Sequence, residues 1–205
     1  MSVKRERSTR TRAKLLRAAA EVFDREGFAG SSLTAVCARA EVSKGALYCH
    51  FRSKEALGVA IIEEQSLLWH RLRDEQLAKE ESPAQALISM SFEFVRRLDT
   101  DLTVRVSSKL LREAVFFDVA AAAQVVGWIA VVRDLLSQAR DNGELREGVN
   151  VRHAAEQIVA ELLGLQLVAQ ALSGGTDLRA RLARWWRASS GCLVTASVRE
   201  TLRFE

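Results

Sequence analysis

The chain has 205 residues, 48% of them hydrophobic and 27% charged, with 30 Lys and Arg against 26 Asp and Glu. That apolar share supplies a core for one or two domains and excludes an intrinsically disordered chain, while three cysteines without paired ligand spacing exclude a disulfide scaffold or a cysteine metal centre. No apolar run approaches the ~20 residues of a membrane span and the arginine-rich start lacks the apolar segment of a signal peptide, so cytoplasm is the expected compartment.

The single proline is Pro83 and strand-like alternation is almost absent, so the fold expected is all-α. A basic arm opens the chain with Lys4, Arg5, Arg7, Arg10 and Arg12, and residues 1–55 hold twelve Lys and Arg against six Asp and Glu, so the positive charge is local. It reads either as a sequence-independent DNA contact through counterion release or as a solubilising tail. The first helix runs from about Ser8 to Glu26 and stops at Gly27. Leu33, Val36, Cys37 and Ala40 then space a short amphipathic helix capped from Ser31 or Ser32. Glu41 and Val42 break it, Ser43 caps the next, and Ala46, Leu47 and Phe51 form its buried stripe. Lys44, Gly45, Tyr48 and His50 are left facing outward. This is a helix-turn-helix, whose second helix enters a DNA major groove. Lys44 suits a phosphate or a guanine edge, Gly45 permits close backbone approach, Tyr48 can meet phosphate or a thymine methyl, and His50 and Lys54 can reach the backbone.

Beyond it, Ser53 caps a long helix to about Glu80, Ser82 and Pro83 start another to near Asp99, and Asp101 to Phe117 gives a further one. The next ends at Asp141, Asn142 and Gly143. Asn150 caps a strongly apolar helix from Val151 to Leu172, Ser173 to Gly175 make a hinge, and Asp177 caps a last helix to about Leu202. In the last two helices apolar residues wrap too far round for one buried face, so Leu162, Leu165, Val168, Trp185 and Trp186 are candidates for a dimer interface, packing within one subunit being the alternative. Cys37, Cys49 and Cys192 read as buried free thiols.

The run from Thr11 to Ala60 resembles the DNA-binding domain of TetR-family repressors. The likeness lies in the small-residue helix ending in Phe23, the stop at Gly27 followed by Phe28, the Ser32 and Thr34 pair, and the KGALY-x-HF-x-SKE-x-L core from Lys44 to Leu57. Cys49 departs from it, an aromatic being common there. The resemblance implies DNA contacts from Ser32, Thr34, Lys44, Gly45, Tyr48, His50 and Lys54, with the capping Ser43 beside them. It implies two domains: a DNA-binding three-helix domain over 1–53, and a helical ligand-binding and dimerisation domain over 54–205. A homodimer would set two recognition helices one DNA turn apart, ~34 Å, on a near-palindromic operator.

Trp128 in GWIAVVRDLL, the loop RDNGELREGVN and the later HAAEQIVAELLGLQ are similar to the butyrolactone-autoregulator receptor subgroup, in which the matching Trp lines the signal pocket. The proline-rich stretch usual before that Trp is missing here. Gln124, one turn before Trp128, and Gln166, inside an apolar helix, are candidate polar ligand contacts, with partners across a dimer interface as the alternative. The function expected is a repressor released by a small hydrophobic or amphipathic molecule, either a butyrolactone-type signal or an antibiotic or other hydrophobic drug. The less favoured alternative is a nonspecific architectural DNA-binding protein. No cofactor or metal is expected, and the three histidines lack the partners an active site needs, so the chain is read as no enzyme.

Overall fold

A computed structural model describes residues 3–79, 82–112 and 114–205, with side chains described for all of these except 3, 4, 65, 66 and 114–118. Among the described residues the regular structure is helical, with one isolated bridge between Leu145 and Val194. In chain order the helices are α1 (Val3–Gly30), α2 (Leu33–Ala40), α3 (Lys44–Tyr48), α4 (Lys54–Leu77), α5 (Pro83–Thr100), α6 (Leu102–Arg112), α7 (Ala114–Asp141), α8 (Val151–Ser173), α9 (Leu178–Leu193) and α10 (Ala196–Thr201). They divide between two compact units, one of residues 1–66 and 98–124 and one of 67–97 and 125–205.

In the first unit Leu15, Ala19, Phe23, Phe28, Val36, Leu47, Leu57 and Ile61 make one buried cluster from α1 to α4, and Val106 and Leu110 of α6 belong to the same cluster. Phe23 meets Phe28 edge-on at 5.3 Å between ring centroids, the favoured geometry for two π-systems with negative faces and positive edges. Gly27 between them takes φ 71°, ψ 162°, open to glycine and strained for any other residue. The expected stop at Gly27 is therefore a kink, since the helical turn resumes to Gly30. The arm is helical too: α1 starts at Val3, five residues before the expected start, with Arg5, Arg7 and Arg10 exposed along it. The side chain of Lys4 lies outside the described residues.

In the second unit the interior is aromatic and aliphatic. Trp69, Leu72, Leu87, Met90, Phe92, Val132, Leu136, Ala155, Leu182 and Trp186 are all buried. The Glu144 carboxylate accepts from the Ala84 N–H and the Ser82 hydroxyl, each at 2.9 Å. It thereby satisfies the start of α5, where free N–H groups face along the helix axis. The part of α7 from Val119 to Asp141 is long and apolar enough to cross a membrane by length and composition, which the expectation of no such run missed. It carries Arg133, Asp134 and Arg140, and it buries one face through Trp128, Val131, Val132, Leu135 and Leu136 while leaving Val119 and Val126 exposed.

Further boundaries differ from the sequence reading, among them the helix expected from Asp101 to Phe117, which ends at Arg112 as α6. The last helix is interrupted, because Val194 adopts extended φ/ψ and pairs with the 140–150 loop: Arg146 N–H donates to Leu193 O at 3.0 Å and Thr195 N–H to Glu144 O at 2.9 Å. Asp177 stands at the start of α9 without capping it by its side chain. Its carboxylate instead accepts from Ser173 Oγ at 2.6 Å and Arg181 Nε at 2.8 Å. The expected end of the fourth helix at Glu80 lies outside the described residues; the helix ends at Leu77.

Candidate nucleic-acid interface and effector site

The helix-turn-helix is built by its caps. Ser32 Oγ accepts from Ala35 N–H at 3.1 Å and Ser43 Oγ from Ala46 N–H at 3.1 Å, each filling one of the donors a helix start leaves open. Between the two helices Glu41 takes the left-handed conformation, φ 55° and ψ 46°, with its N–H on Ala38 O, while Val42 N–H reaches Cys37 O. This tight turn reverses the chain at the cost of holding a non-glycine residue at positive φ.

The split of α3 is sharp. Leu47 is fully buried and Phe51 nearly so, while Lys44, Gly45 and Tyr48 face solvent, Tyr48 with 55% of its surface exposed. His50 is half-buried, its ring 6.4 Å from that of Phe51. Ser32 and Thr34 on α2 are exposed as well. A side chain built at Gly45 would meet only Ser43 Oγ, at 3.9 Å, so nothing inside the chain requires glycine there.

Lys54 behaves differently from the contact inferred for it. Its ammonium donates to the carbonyls of Phe28 at 2.6 Å, Ala29 at 3.3 Å and Ser31 at 3.0 Å, and lies 4.6 Å from the Phe28 ring centre. A lysine has three donors, and all three close the end of α1. The signal for this was present in sequence: a cation three residues after the buried Phe51 is as suited to helix-end carbonyls as to phosphate.

Acids near the reading helices are neutralised internally. Glu21 pairs with Arg39 and Arg17, whose hydrogen bonds, Arg39 foremost, hold its carboxyl below the usual range. Burial raises the Asp24 carboxyl, but hydrogen bonds from Lys109, at 2.5 Å, and Arg105 outweigh it and keep it low. Lys44 and Arg52 have no carboxylate partner among the described residues, which leaves net positive charge where α3 is exposed.

In the second unit Trp128 is buried against Trp69, 5.1 Å between ring centroids, and Phe94, 6.2 Å, while Trp69 and Phe94 are 4.9 Å apart. Sequence reasoning found Trp128 and missed Trp69 and Phe94, whose spacing on their own helices is that of ordinary core residues. Gln124 is buried in the first unit. Gln166 is half-exposed on α8.

The residues expected at a subunit interface divide. Val168 is 43% exposed, with Leu167 and Leu172 also open, and Leu162 and Leu165 are half-buried on α8. Trp185 lines an open groove of about 390 Å³ with His153, Glu161 and Cys192. Trp186 does not face outward: it is 1% exposed and its Nε1–H donates to Ser91 Oγ at 2.9 Å. Adjacent residues on a helix point ~100° apart; Trp186 borders the same groove as Trp185 while being almost wholly buried. Of the cysteines only Cys37 is buried; Cys49, just past the end of α3, and Cys192 on α9 are exposed. Among the described residues no group of three His, Cys, Asp or Glu side chains is placed to hold a metal ion.

Comparison with known proteins agrees with this geometry. Residues 15–61 match the family model of bacterial regulatory proteins, tetR family. The A-factor receptor protein of Streptomyces griseus is 34% identical over 184 residues, covering 90% of this chain; the chain spans 64% of that relative's length. A solved structure described as the molecular basis for control of antibiotic production by bacterial hormones superposes with a TM-score of 0.84 at 29% identity, covering 95% of this chain and all of the other. A gamma-butyrolactone receptor, ArpA-like, gives 0.72 at 27% identity, covering 95% and 92%. CprB from Streptomyces coelicolor, solved in complex with its biological operator sequence, gives 0.75 at 28% identity, covering 95% and 93%.

Proposed function

This chain belongs to the tetR family of bacterial regulatory proteins, and from that premise we propose that it is a homodimeric repressor that binds a near-palindromic operator and is released by a small hydrophobic molecule of the gamma-butyrolactone class. It is a regulator, not an enzyme, and works in the cytoplasm. The observation that carries the reading is the exposed side of α3: a lysine, a glycine and a tyrosine held outward by a fully buried Leu47. A tyrosine more than half exposed and an exposed glycine on a five-residue helix gain little from packing, and both suit a major groove. In this reading Lys44 and Tyr48 meet DNA, Gly45 lets the backbone approach, and Ser32, Thr34, Ser43 and His50 flank them. Lys54 holds α1 against the reading helices. Exposed Val168 and Leu172, with half-buried Leu162, Leu165 and Trp185, pair with a second copy, as the unpartnered apolar face of α8 supports. The operator complex of CprB and the naming of two similar proteins as receptors for A-factor and gamma-butyrolactone support the partner classes.

Release is a population shift. An effector that prefers the conformer unable to bind operator moves the protein from almost wholly competent to almost wholly incompetent with ~5.5 kcal/mol of differential affinity. Selection of bound duplexes from a random pool tests the proposal. One near-palindrome should dominate, and a lipophilic metabolite extract should abolish its capture. A pool that enriches no sequence would mean a nonspecific architectural protein.

A further inference from the structure

The cluster that contains Trp128 holds one group the packing does not explain. Trp69 is 2% exposed, and its indole N–H finds no hydrogen-bond acceptor among the described residues. Two other buried polar atoms share that condition, Ser108 Oγ on α6 and Ser190 Oγ on α9. They differ in kind. A helical serine hydroxyl rotates and can turn toward a carbonyl one turn back, whereas the indole N–H is fixed in the ring plane and can only donate. Buried donors are almost always paired, so an unpaired one at the meeting of α4, α5 and α7, with the tilted rings of Phe94 and Trp128 4.9 and 5.1 Å from its own, is a donor waiting for an acceptor.

We propose that Trp69 Nε1–H is the group that reads the effector, donating to the carbonyl oxygen of a lactone or ester whose apolar part lies against the Trp69, Phe94 and Trp128 rings. This rests on the effector-released reading above and adds a chemical requirement to it. An apolar molecule of the same shape without a carbonyl leaves the N–H unsatisfied and binds more weakly, because a site built around a buried donor rejects a ligand that cannot accept from it. Trp69 is thus a specificity residue, while Trp128 supplies surface.

Calorimetry with the full chain and two probes of one skeleton tests this: γ-dodecalactone and 2-octyltetrahydrofuran, which lacks the carbonyl. The wild type should bind the lactone about tenfold or more tightly over the ether, a difference of ~1.4 kcal/mol. W69F should bind both alike while still binding operator DNA. In the wild type the indole N–H resonance absent from W69F should move downfield with the lactone and stay with the ether, a readout that stands if W69F fails to fold. A lactone preference kept in W69F, equal binding of both probes by the wild type, or an unmoved resonance each overturns the proposal. If a lipophilic metabolite extract releases operator while the lactone does not bind, the carbonyl assignment alone fails. If neither lactone nor extract releases operator, the effector-released reading falls with it.

Discussion

The two units use their side chains in opposite ways. The first carries exposed Lys44, Arg52 and the arginines of α1 around a small aliphatic and phenylalanine core, with its acids Glu21 and Asp24 tied up by internal cations. The second holds all four tryptophans, three of them buried, and leaves one indole N–H unpaired inside. Chemistry on the outside of one unit and on the inside of the other is what a reader of a charged polymer and a receptor for an apolar molecule respectively require. Phosphates are met at a surface, whereas a small apolar ligand must be enclosed to bury its area.

The contrast is open to attack at four points. The largest effect belongs to Trp186→Ala, which empties a fully buried indole site and takes away the hydrogen bond Ser91 Oγ accepts, leaving the one it donates to Ile88 O; unfolding by denaturant should show a loss of about 3–5 kcal/mol. A loss under 1 kcal/mol would return Trp186 to the outer face. Next is Lys54→Met. Three carbonyls at the end of α1 lose their donor, so the DNA-free protein should lose about 2 kcal/mol. The slope of operator affinity against salt should stay as it was, since no phosphate contact disappears; a slope shallower by about one would place Lys54 on DNA.

Gly45→Ala separates fold from function within a single residue. The added methyl group meets open space and a better helix former, so stability should rise by about 0.5–1 kcal/mol, while operator affinity in a gel-shift titration falls about tenfold. Equal affinity would remove the argument that close DNA approach explains the glycine.

The smallest effect concerns acid. Hydrogen bonds from Arg96 and then Arg97 hold Glu93 at a pKa of about 2, against an ordinary 4.5. A carboxyl depressed in the folded state gives stability that is full above the unfolded pKa and disappears as pH falls from about 4.5 through 2. Glu93→Gln should therefore cost about 1 kcal/mol at neutral pH, less as pH falls below about 4.5 and nothing once pH is well below the folded pKa of about 2, as unfolding at several pH values would show.

The helix-turn-helix was legible residue by residue because its determinants are local. Ser32 and Ser43 cap as their positions demand, Leu47 and Phe51 fall on the buried side, and Tyr48 is outward, all from spacing within a dozen residues. The second unit was legible only in outline. Trp69, Phe94 and Trp128 come from three helices far apart in sequence, and periodicity along one helix cannot say which neighbour a buried ring will meet. The break at Val194 was hidden for the same reason: the 140–150 loop that pairs with it is distant in the chain.

Amino-acid order alone settled the helical class, the placing of most helix starts and the outward side of α3, because caps, turns and a 3.6-residue period act over a few neighbouring residues. Tertiary structure alone decided that Lys54 closes α1, that Trp186 is buried on Ser91 while Trp185 stays half-exposed, that α6 joins the core of the reading unit, and that one indole N–H stands unpaired among aromatic rings. Each of these depends on which distant side chain arrives at a given point, and burial and hydrogen bonding are settled there.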